Sequence, residues 1–253
     1  MRIYTSPIQA VREVERDLWE MGINVHPATM QDKFVRDDPD YLTKEVRHYG
    51  FQIQQWVHRE PEERQVLEMV YKNSLQAESA QLYIGAEFVD RTSGQARNPG
   101  NAWQYRKQVW NEFMHDGKFS YTYSERMAPQ LLRVVDELRA RPDTRQAIID
   151  IHSNICPVEA EQVTGSADLS NMGGKARIPC SLYYQVMIRE RRVDLVYAMR
   201  SCDFLVHFPV DLMLAMRLQT WFAKLLDLNV GLFTYFTGSL HAYHKEIKDR
   251  GIF

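Results

Sequence analysis

The chain has 253 residues, of which 45% are hydrophobic and 25% are charged. These fractions are typical of a globular protein and exclude an intrinsically disordered or fibrous one. Lys and Arg number 31 against 33 Asp and Glu, which leaves a net charge of −2. Such a balance does not attract a polyanion, so we expect no nucleic-acid partner, and a few placed arginines must bind any phosphate group.

The cysteine pattern and the apolar runs bear on where the protein works. Cys156, Cys180 and Cys202 include no CxxC pair, which argues against a disulfide framework or a zinc ribbon, and we predict no metal site. No apolar run approaches roughly 18 residues, and the first residues lack the pattern of a signal peptide. We therefore expect a cytoplasmic protein without a membrane partner.

Helix signals dominate the first half of the chain. Ser6, which a proline follows, and Gly22 bracket apolar residues at helical spacing, and this predicts a helix between them. Pro39 is predicted to open a second helix that runs towards Trp56, and Pro61 is predicted to open a third.

The middle of the chain has a different composition. Residues 85–108 are rich in Gly, Asn, Gln and Arg, which predicts a long surface loop or lid. A helix is predicted over about 125–140. We treat residues 1–253 as a single domain with an insertion or lid around 51–109.

Strand signals replace helix signals in the second half. Residues 147–153 predict a strand, and residues 181–190 and 193–201 predict a hairpin. Residues 209–228 show a helical pattern that is apolar over most of its circumference, as in a buried helix, and 230–243 predict a further strand. The expected fold class is α+β, with a mixed or antiparallel sheet and one buried central helix.

Cys180 and the residues that end the neighbouring predicted strand could carry chemistry. A free cysteine is often a small buried hydrophobe, but a nearby cation would make it a nucleophile. Arg200, Ser201 and Asp203 end the second hairpin strand, so a cation lies near Cys180 if the hairpin pairs. A guanidinium beside a hydroxyl also suits a phosphate, although the same residues could form a solvated turn.

The spacing of these residues resembles the thymidylate synthase superfamily. Cys180 follows a proline, Gln185 stands five residues later, and Arg-Ser-Cys-Asp begins at position 200. Asp211 follows Asp203 by eight residues, and Gly238 opens a Gly-Ser-Leu-His-Ala-Tyr segment. The match covers about residues 110–243. It implies the fold of that superfamily, with a homodimer formed through the sheets.

Three further segments are similar to the same superfamily. The Pro-Asp-Thr-Arg that ends at Arg145 resembles a motif whose arginine reaches the phosphate bound by the other subunit. Tyr123, which comes after Trp110, resembles the active-site tyrosine of the family. Residues 41–49 are similar to the segment of phage deoxycytidylate hydroxymethylases that carries the catalytic Glu. Glu45 would then be the acid, and an ordinary glutamate on a helix surface is the alternative.

Asp211 bears on which pyrimidine is bound. Members of the superfamily that use dUMP have Asn at this position, because an amide can donate to O4 and accept from N3–H of uracil. Cytosine reverses that edge, and cytidylate-specific members of the superfamily carry Asp. The resemblance therefore implies a cytidine monophosphate, either CMP or dCMP, unless Asp211 only caps the buried helix.

The resemblance also implies a role for each matched residue. Cys180 would add to C6 of the pyrimidine, while Glu45 and Tyr123 would organise waters and proton transfers beside Asp211. The implied substrate-binding residues are Arg145, Gln185, Arg200, Ser201, Asp211, His241 and Tyr243. Asp203 and Trp110 would bind 5,10-methylenetetrahydrofolate as the source of the one-carbon unit.

Two products are compatible with this chemistry, since water addition gives 5-hydroxymethyl-(d)CMP and hydride addition gives a methyl group. The sequence has ten residues after Tyr243, fewer than thymidylate synthases have there, and we expect this to favour water addition. The alternatives are a (d)CMP 5-methyltransferase, a dUMP enzyme like thymidylate synthase, a catalytically silent nucleotide-binding homologue and an unrelated cysteine hydrolase.

Overall fold

The structure, a computed structural model, describes residues 1–30, 33–152 and 178–250, so Cys156 lies outside the described residues. The strands are β1 (Arg2–Tyr4), β2 (Ile23–Val25), β3 (Thr29–Met30), β4 (Lys33–Phe34), β5 (Thr43–Gln54), β6 (Ile148–Asp150), β7 (Ser181–Arg189), β8 (Arg192–Asp203) and β9 (Asn229–Tyr243). The helices are α1 (Pro7–Met21), α2 (Glu60–Tyr71), α3 (Ser74–Thr92), α4 (Lys107–Trp110), α5 (Tyr123–Ala140), α6 (Phe208–Leu226) and α7 (His244–Asp249). Short 3-10 helices cover Pro39–Tyr41, Ala102–Arg106 and Asn111–Phe113.

Most of these strands join one mixed sheet. Among the described residues its order is β1-β5-β9-β8-β7-β6, with β2 added to β5, and β3 pairs with β4 separately. β5 is antiparallel to β9, whereas β9 and β8 run parallel. The remaining neighbours β8, β7 and β6 are antiparallel. The predicted mixed sheet is confirmed.

The helices pack on one face of this sheet. α6 lies on β8 and β9, α1 on β5, and α5 on β6 and β7, while α2 and α3 form a further layer over α6. Phe208, Leu212, Met213 and Phe222 of α6 are fully buried. Burial of one such side chain stabilises the fold by about 1.5–3 kcal/mol. The prediction of a buried central helix is therefore confirmed.

Several helix ends agree with the local sequence. The Ser6 hydroxyl accepts a hydrogen bond from the Gln9 amide at 3.2 Å, which caps α1 where the sequence predicts its start. Thr122 and Glu125 form a capping box at the start of α5, two residues before the predicted start of that helix. α2 begins at Glu60, next to the proline that predicts it.

The predicted helix from Pro39 towards Trp56 is wrong. Only a 3-10 turn follows Pro39, and residues 43–54 are the long strand β5. The apolar residues Tyr49, Phe51 and Ile53 alternate at period two and are buried between the sheet and the helices. β5 forms because β1 and β9 pair with its two edges, and those partners are far away in sequence.

The predicted loop over residues 85–108 is wrong in its first part. Residues 85–92 belong to α3, whose inner face carries Ala77, Ala80, Tyr83 and Ile84. Irregular chain covers 93–101, and a 3-10 turn and α4 follow it. Polar residues on the outer side of α3 made this segment resemble a loop.

The predicted hairpin is confirmed as β7 and β8. Glu190 and Arg191 connect the strands, both with positive φ (50° and 57°), as a two-residue hairpin turn requires. The pairing brings Ser181 opposite Met199. Cys180 consequently lies next to the Arg200 end of β8.

The face of the sheet opposite the helices carries exposed apolar residues. Ile148, Tyr183 and Phe236 lie there with 43%, 37% and 36% of their surfaces exposed. They belong to β6, β7 and β9, and β6 is an edge strand of the sheet. Within the described ranges, no helix has the length and apolar character needed to cross a membrane.

Candidate active site

Cys180 lies at the start of β7, where the backbone is held by Arg200. The Arg200 amide donates to the Cys180 carbonyl oxygen at 2.8 Å. The Arg200 side chain donates from Nε to the Pro179 carbonyl at 2.9 Å and from Nη2 to the Ile178 carbonyl at 3.0 Å. The Ser201 hydroxyl contacts the Cys180 Sγ at 3.8 Å. The thiol is free and partly exposed, so a substrate can reach it.

Arg200 and Ser201 lie next to each other beside the thiol and make up the predicted anion site. Arg200 is solvent-exposed, and its Nη1 donates to the Ser201 hydroxyl at 3.1 Å. The parallel strand β9 approaches here, with Gly238 opposite Arg200. A Cβ atom at Gly238 would lie 2.8 Å from the Arg200 carbonyl oxygen, so only glycine fits without moving the strand.

Tyr123 is joined to the Cys180 segment through a buried serine. Ser181 is fully buried, and its hydroxyl donates to the Tyr123 oxygen at 3.2 Å. The same hydroxyl lies 2.7 Å from the Tyr197 oxygen, and the Tyr197 ring stacks on Tyr184 with centroids 4.5 Å apart. Burial, with smaller effects from Tyr121 and Asp211, raises the pKa of Tyr123 well above its usual value.

Strand pairing brings three predicted residues into one row. Glu45 on β5 pairs with His241 on β9, and His241 pairs in turn with Asp203 on β8. Residues directly opposite share a face of the sheet, so His241 lies between Glu45 and Asp203 in the register of the strands. Burial lowers the pKa of His241 to about 4, although the charge of Glu45 acts in the opposite direction. The imidazole is therefore neutral at pH 7. Glu45 lies on a strand, which rules out the alternative of a helix-surface glutamate.

The side chain of Asp203 also interacts with Glu246 on α7. The Asp203 carboxylate accepts from the backbone amides of Leu205 at 3.0 Å and Val206 at 3.2 Å. Burial, and next the charge of Glu246, raises the pKa of Asp203 well above its usual value. Burial and the charge of Asp203 also raise the pKa of the nearby Tyr243. Asp203 thus lies at the edge of the site with its carboxyl oriented by the backbone.

Asp211 lies in the first turn of α6 and does not cap that helix. The N-cap residue is His207, and the Asp211 amide donates to the His207 carbonyl at 2.9 Å. After burial, the charge of Asp211 is among the causes that raise the pKa of Tyr197 and Tyr184. The partly buried carboxylate therefore lies among the aromatic residues on the helix side of the sheet.

Comparisons to known proteins agree with this fold. A protein-family model described as thymidylate synthase matches residues 8–250. The chain belongs to the thymidylate synthase family. The predicted superfamily is thereby confirmed.

Relatives of known name are distant in sequence. A thymidylate synthase of Francisella philomiragia is 24% identical over 149 residues, which are 56% of this chain and 54% of that protein. A bifunctional dihydrofolate reductase-thymidylate synthase of Paramecium tetraurelia is 24% identical over 140 residues, or 55% of this chain and 27% of that protein. The match thus spans about half the length of the Francisella relative and about a quarter of the Paramecium one.

A solved structure supports the same fold. The crystal structure of thymidylate synthase from T4 phage matches with a TM-score of 0.63 and 18% identity, and the match covers 94% of this chain and 78% of that chain. At this identity the likeness concerns the fold, which agrees with the predicted α+β fold of the thymidylate synthase family.

A cleft opens beside Tyr123 in this thymidylate synthase family member. The lining is aromatic and polar: Tyr83, Glu87, Asp90, Arg97, Gly100, Trp103, Trp110, Phe119, Tyr121, Thr122, Tyr123 and Ser124. Aromatic side chains such as these can stack on the flat rings of a folate. The Trp110 ring also lies 6.3 Å from His207, which joins the cleft to the start of α6.

Two predicted residues lie apart from this cluster. The Gln185 side chain donates to the Arg145 carbonyl oxygen at 2.8 Å. Gln185 pairs with Ile148 and therefore faces the side of the sheet that the helices leave open. Arg145 is exposed next to that face. Within one chain, neither residue contacts the Cys180 thiol in the contacts that the described residues make.

Sequence reasoning missed several residues of the site. Ser181 follows Cys180 directly and is a contact of Tyr123, but a single serine gave no signal. The Ser239 hydroxyl lies 3.2 Å from His241 Nδ1. Glu246 and the α3 residues Glu87 and Arg91 come from segments without a motif, so only their spatial position could reveal them.

Proposed function

We propose that the chain transfers a one-carbon unit from 5,10-methylenetetrahydrofolate to C5 of a cytidine monophosphate, and that water completes the reaction to give 5-hydroxymethyl-(d)CMP. The observation that carries the base assignment is Asp211, a carboxylate in the first turn of α6 and not the cap of that helix. Membership of the thymidylate synthase family supports the one-carbon chemistry.

The thiol and the anion site support the first step. Arg200 and Ser201 offer a guanidinium and a hydroxyl to the 5′-phosphate next to Cys180. The Cys180 thiolate adds to C6 of the pyrimidine, and the electron pair of the C5–C6 double bond moves to C5 and to the N3 edge. C5 then becomes a nucleophile towards the one-carbon unit.

Asp211 supports cytosine as the base. Neutral cytosine has an acceptor at N3 and a donor at the 4-amino group. A protonated carboxyl, or a carboxylate opposite protonated N3, matches this pattern, whereas uracil would leave a buried polar group unpaired. Hydrogen bonding at N3 also stabilises the negative charge that the Cys180 adduct spreads over the ring.

Glu45, His241 and Tyr123 support the remaining steps. The folate supplies the one-carbon unit when it is bound in the aromatic cleft, which Trp110 lines. Asp203 is the residue predicted to hydrogen-bond its pterin ring. Loss of the C5 proton and departure of tetrahydrofolate leave an exocyclic methylene on the nucleotide. Water adds to that methylene, and the Cys180 thiolate then leaves C6. Glu45 is positioned to orient the water, and neutral His241 and Tyr243 to bind the sugar hydroxyl.

The test is tritium release from nucleotides labelled at C5, with and without methylenetetrahydrofolate. We expect release from CMP or dCMP only with folate, and a product heavier than the substrate by CH₂O in mass analysis. Comparing tritium release from CMP and from dCMP shows whether the substrate carries ribose or deoxyribose. Release from dUMP alone would overturn the base assignment. No release from any of the three would favour a catalytically silent homologue.

Methyl transfer is the second candidate. It is favoured by the curated relatives and by the T4 phage structure, all of which carry the name thymidylate synthase. In this reaction a hydride from the folate reduces the exocyclic methylene and leaves dihydrofolate. The product is then heavier by CH₂, and dihydrofolate absorbs near-ultraviolet light, so the same assay separates the two outcomes.

We also propose that the protein works as a homodimer through the open face of the sheet. Ile148, Tyr183 and Phe236 expose apolar surface there, next to Gln185 and the exposed Arg145. Exposed apolar surface of this kind marks a binding surface. Through this face Arg145 of one subunit would reach the phosphate in the site of the other.

A further inference from the structure

A buried arginine that no motif predicted lies over the ring of Tyr123. Arg91 of α3 has only 4% of its surface exposed. Its guanidinium carbon is 4.0 Å from the centroid of the Tyr123 ring. Its Nε donates to Glu87 Oε1 at 2.7 Å, and its Nη1 donates to the Tyr184 hydroxyl at 3.4 Å. A guanidinium in such a place is costly to bury unless it is paired and hydrogen-bonded.

The contacts of Arg91 close a ring of side chains around the Tyr123 hydroxyl. Tyr184, which Arg91 contacts, stacks on Tyr197. The Tyr197 hydroxyl meets Ser181 at 2.7 Å, and Ser181 donates to the Tyr123 oxygen at 3.2 Å. Arg91 therefore acts on the ring of Tyr123 directly and on its hydroxyl through this chain of contacts. These surrounding side chains leave few side-chain rotamers open to Tyr123.

We infer that Arg91 is a positioning residue for proton removal from C5: it holds the ring of Tyr123 and, by its positive charge, favours the ionised hydroxyl that accepts the proton. This inference rests on the proposed function. In the step itself the C5–H bond breaks, its electron pair forms the bond to the exocyclic carbon as tetrahydrofolate leaves, and the proton passes to the Tyr123 oxygen.

The charges around Tyr123 agree with this role. Burial and the negative charges of Asp211 and Cys180 all favour the neutral hydroxyl and raise the pKa of Tyr123, whereas Arg91 lowers it. Arg91 is paired with Glu87, which also lines the cleft and neutralises part of its charge. A cation over an aromatic ring has a strong electrostatic effect on that ring when both are desolvated, because little water screens the charge.

The experiment uses Arg91→Met and measures two steps separately. Adduct formation comes before proton removal, and tritium release reports proton removal itself. A 5-fluoro cytidylate has no C5 proton to lose, so with folate it should trap the covalent Cys180 adduct on the protein. We expect Arg91→Met to trap this adduct as the wild type does. Tritium release from the 5-labelled nucleotide should fall by about 10- to 100-fold in kcat, with little change in KM. Arg91→Lys, which keeps the charge, should recover part of the loss.

The pH profile gives a readout that a purely structural role would not move. The rate of tritium release should rise with pH as Tyr123 ionises. Removal of the cation should shift that rise to higher pH. In a Tyr123→Phe background, which keeps the ring and loses the hydroxyl, Arg91→Met should have little further effect on release. A full additional loss in that background would overturn the inference, as would an equal fall of adduct and release in Arg91→Met alone.

A measurement without substrate tests the inference independently of the proposed function. In protein labelled with 3-fluorotyrosine, the ¹⁹F resonance that Tyr123→Phe removes reports the titration of Tyr123. It should titrate at higher pH in Arg91→Met and in the charge-balanced pair Arg91→Met, Glu87→Gln. An unchanged titration overturns the inference. If the shift is seen but the wild type neither traps the adduct nor releases tritium, the proposed function fails and the electrostatic part of the inference stands.

Discussion

Asp211 and His241 lie in different surroundings on the helix and the sheet. Asp211 keeps partial exposure at the first turn of α6, near the positive end of the helix dipole. His241 lies on β9 between Glu45 and Asp203, and burial outweighs the charge of Glu45. A neutral imidazole can both accept and donate a hydrogen bond, as a contact to a sugar hydroxyl requires.

Asp211→Asn should move base preference towards uridylate. The amide restores the pattern that donates to O4 and accepts from N3–H, so kcat/KM for uridylate relative to cytidylate should rise by about 100-fold or more. Tritium release from both labelled nucleotides measures this ratio. The matched control is Asp227→Asn, the same change at the other end of α6, which should leave the ratio unchanged. An unaltered preference in Asp211→Asn would mean that Asp211 does not read the base.

His241 should remain neutral down to about pH 4, and this has a consequence for stability. The unfolded chain binds a proton at about pH 6.5, whereas the folded protein does not until about pH 4. The free energy of unfolding contributed by His241 is therefore fully present above the unfolded pKa and is lost as pH falls towards 4. Urea unfolding across this range should show a smaller acid loss in His241→Asn. Protonation of His241 near pH 6.5 in an NMR titration would contradict the prediction.

The parallel contact between β8 and β9 is the element that assembles the site. β8 carries Arg200, Ser201 and Asp203, and β9 carries His241 in register with Asp203. The close approach at Gly238 sets the spacing of these two strands where Arg200 holds the Cys180 segment. The geometry of the anion site therefore depends on a residue that has no side chain to contribute.

Gly238→Ala should disturb this assembly. The new Cβ would meet the Arg200 carbonyl at 2.8 Å, so a strand must shift, at a cost of about 1–3 kcal/mol in stability. Nucleotide affinity should fall as well, because Arg200 moves with its strand. Thermal unfolding and nucleotide titration measure the two effects. Gly85→Ala is the matched control: its Cβ meets nothing within 4 Å in α3, so stability should rise slightly or stay unchanged. Equal behaviour of the two variants would contradict the argument.

At the scale of the whole molecule, the sheet separates two groups of predicted residues. The helix side carries Tyr123, Tyr184 and Tyr197 under the Cys180 segment. The open side carries Gln185, with Arg145 exposed beside it. This separation makes sense if a second copy of the chain covers the open side and completes the site.

Mixing two inactive variants should test the shared site. Cys180→Ala removes the nucleophile and Arg145→Ala removes the phosphate contact from the partner. In a mixed dimer, one of the two sites regains both residues, so reassortment of equal amounts should recover about a quarter of the wild-type activity. Tritium release before and after mixing measures the recovery. Sedimentation as a fully active monomer, or no recovery in demonstrated mixed dimers, would contradict the role of Arg145 across the interface.

The sequence by itself determined the parts of this protein that depend on neighbours along the chain. The start of α1 at its Ser6 cap, the β7–β8 hairpin and the apolar circumference of α6 are local patterns that the sequence predicts. The hairpin turn itself is Glu190–Arg191, one residue earlier than the predicted 191–192. The motif residues from Cys180 to Tyr243 are recognised in the sequence by their resemblance to the family, and their roles in binding and catalysis stay predictions.

Only the tertiary structure decided the parts that depend on distant partners. Residues 43–54 are a strand because β1 and β9 offer hydrogen bonds to both of its edges, and this outweighs the helical reading of the local pattern. The same pairing places Glu45 beside His241. Arg91 contacts Tyr123 because α3 packs against α5, and no spacing in the sequence encodes that contact. Side chains from separate elements meet through packing, so their chemistry becomes visible only in the fold.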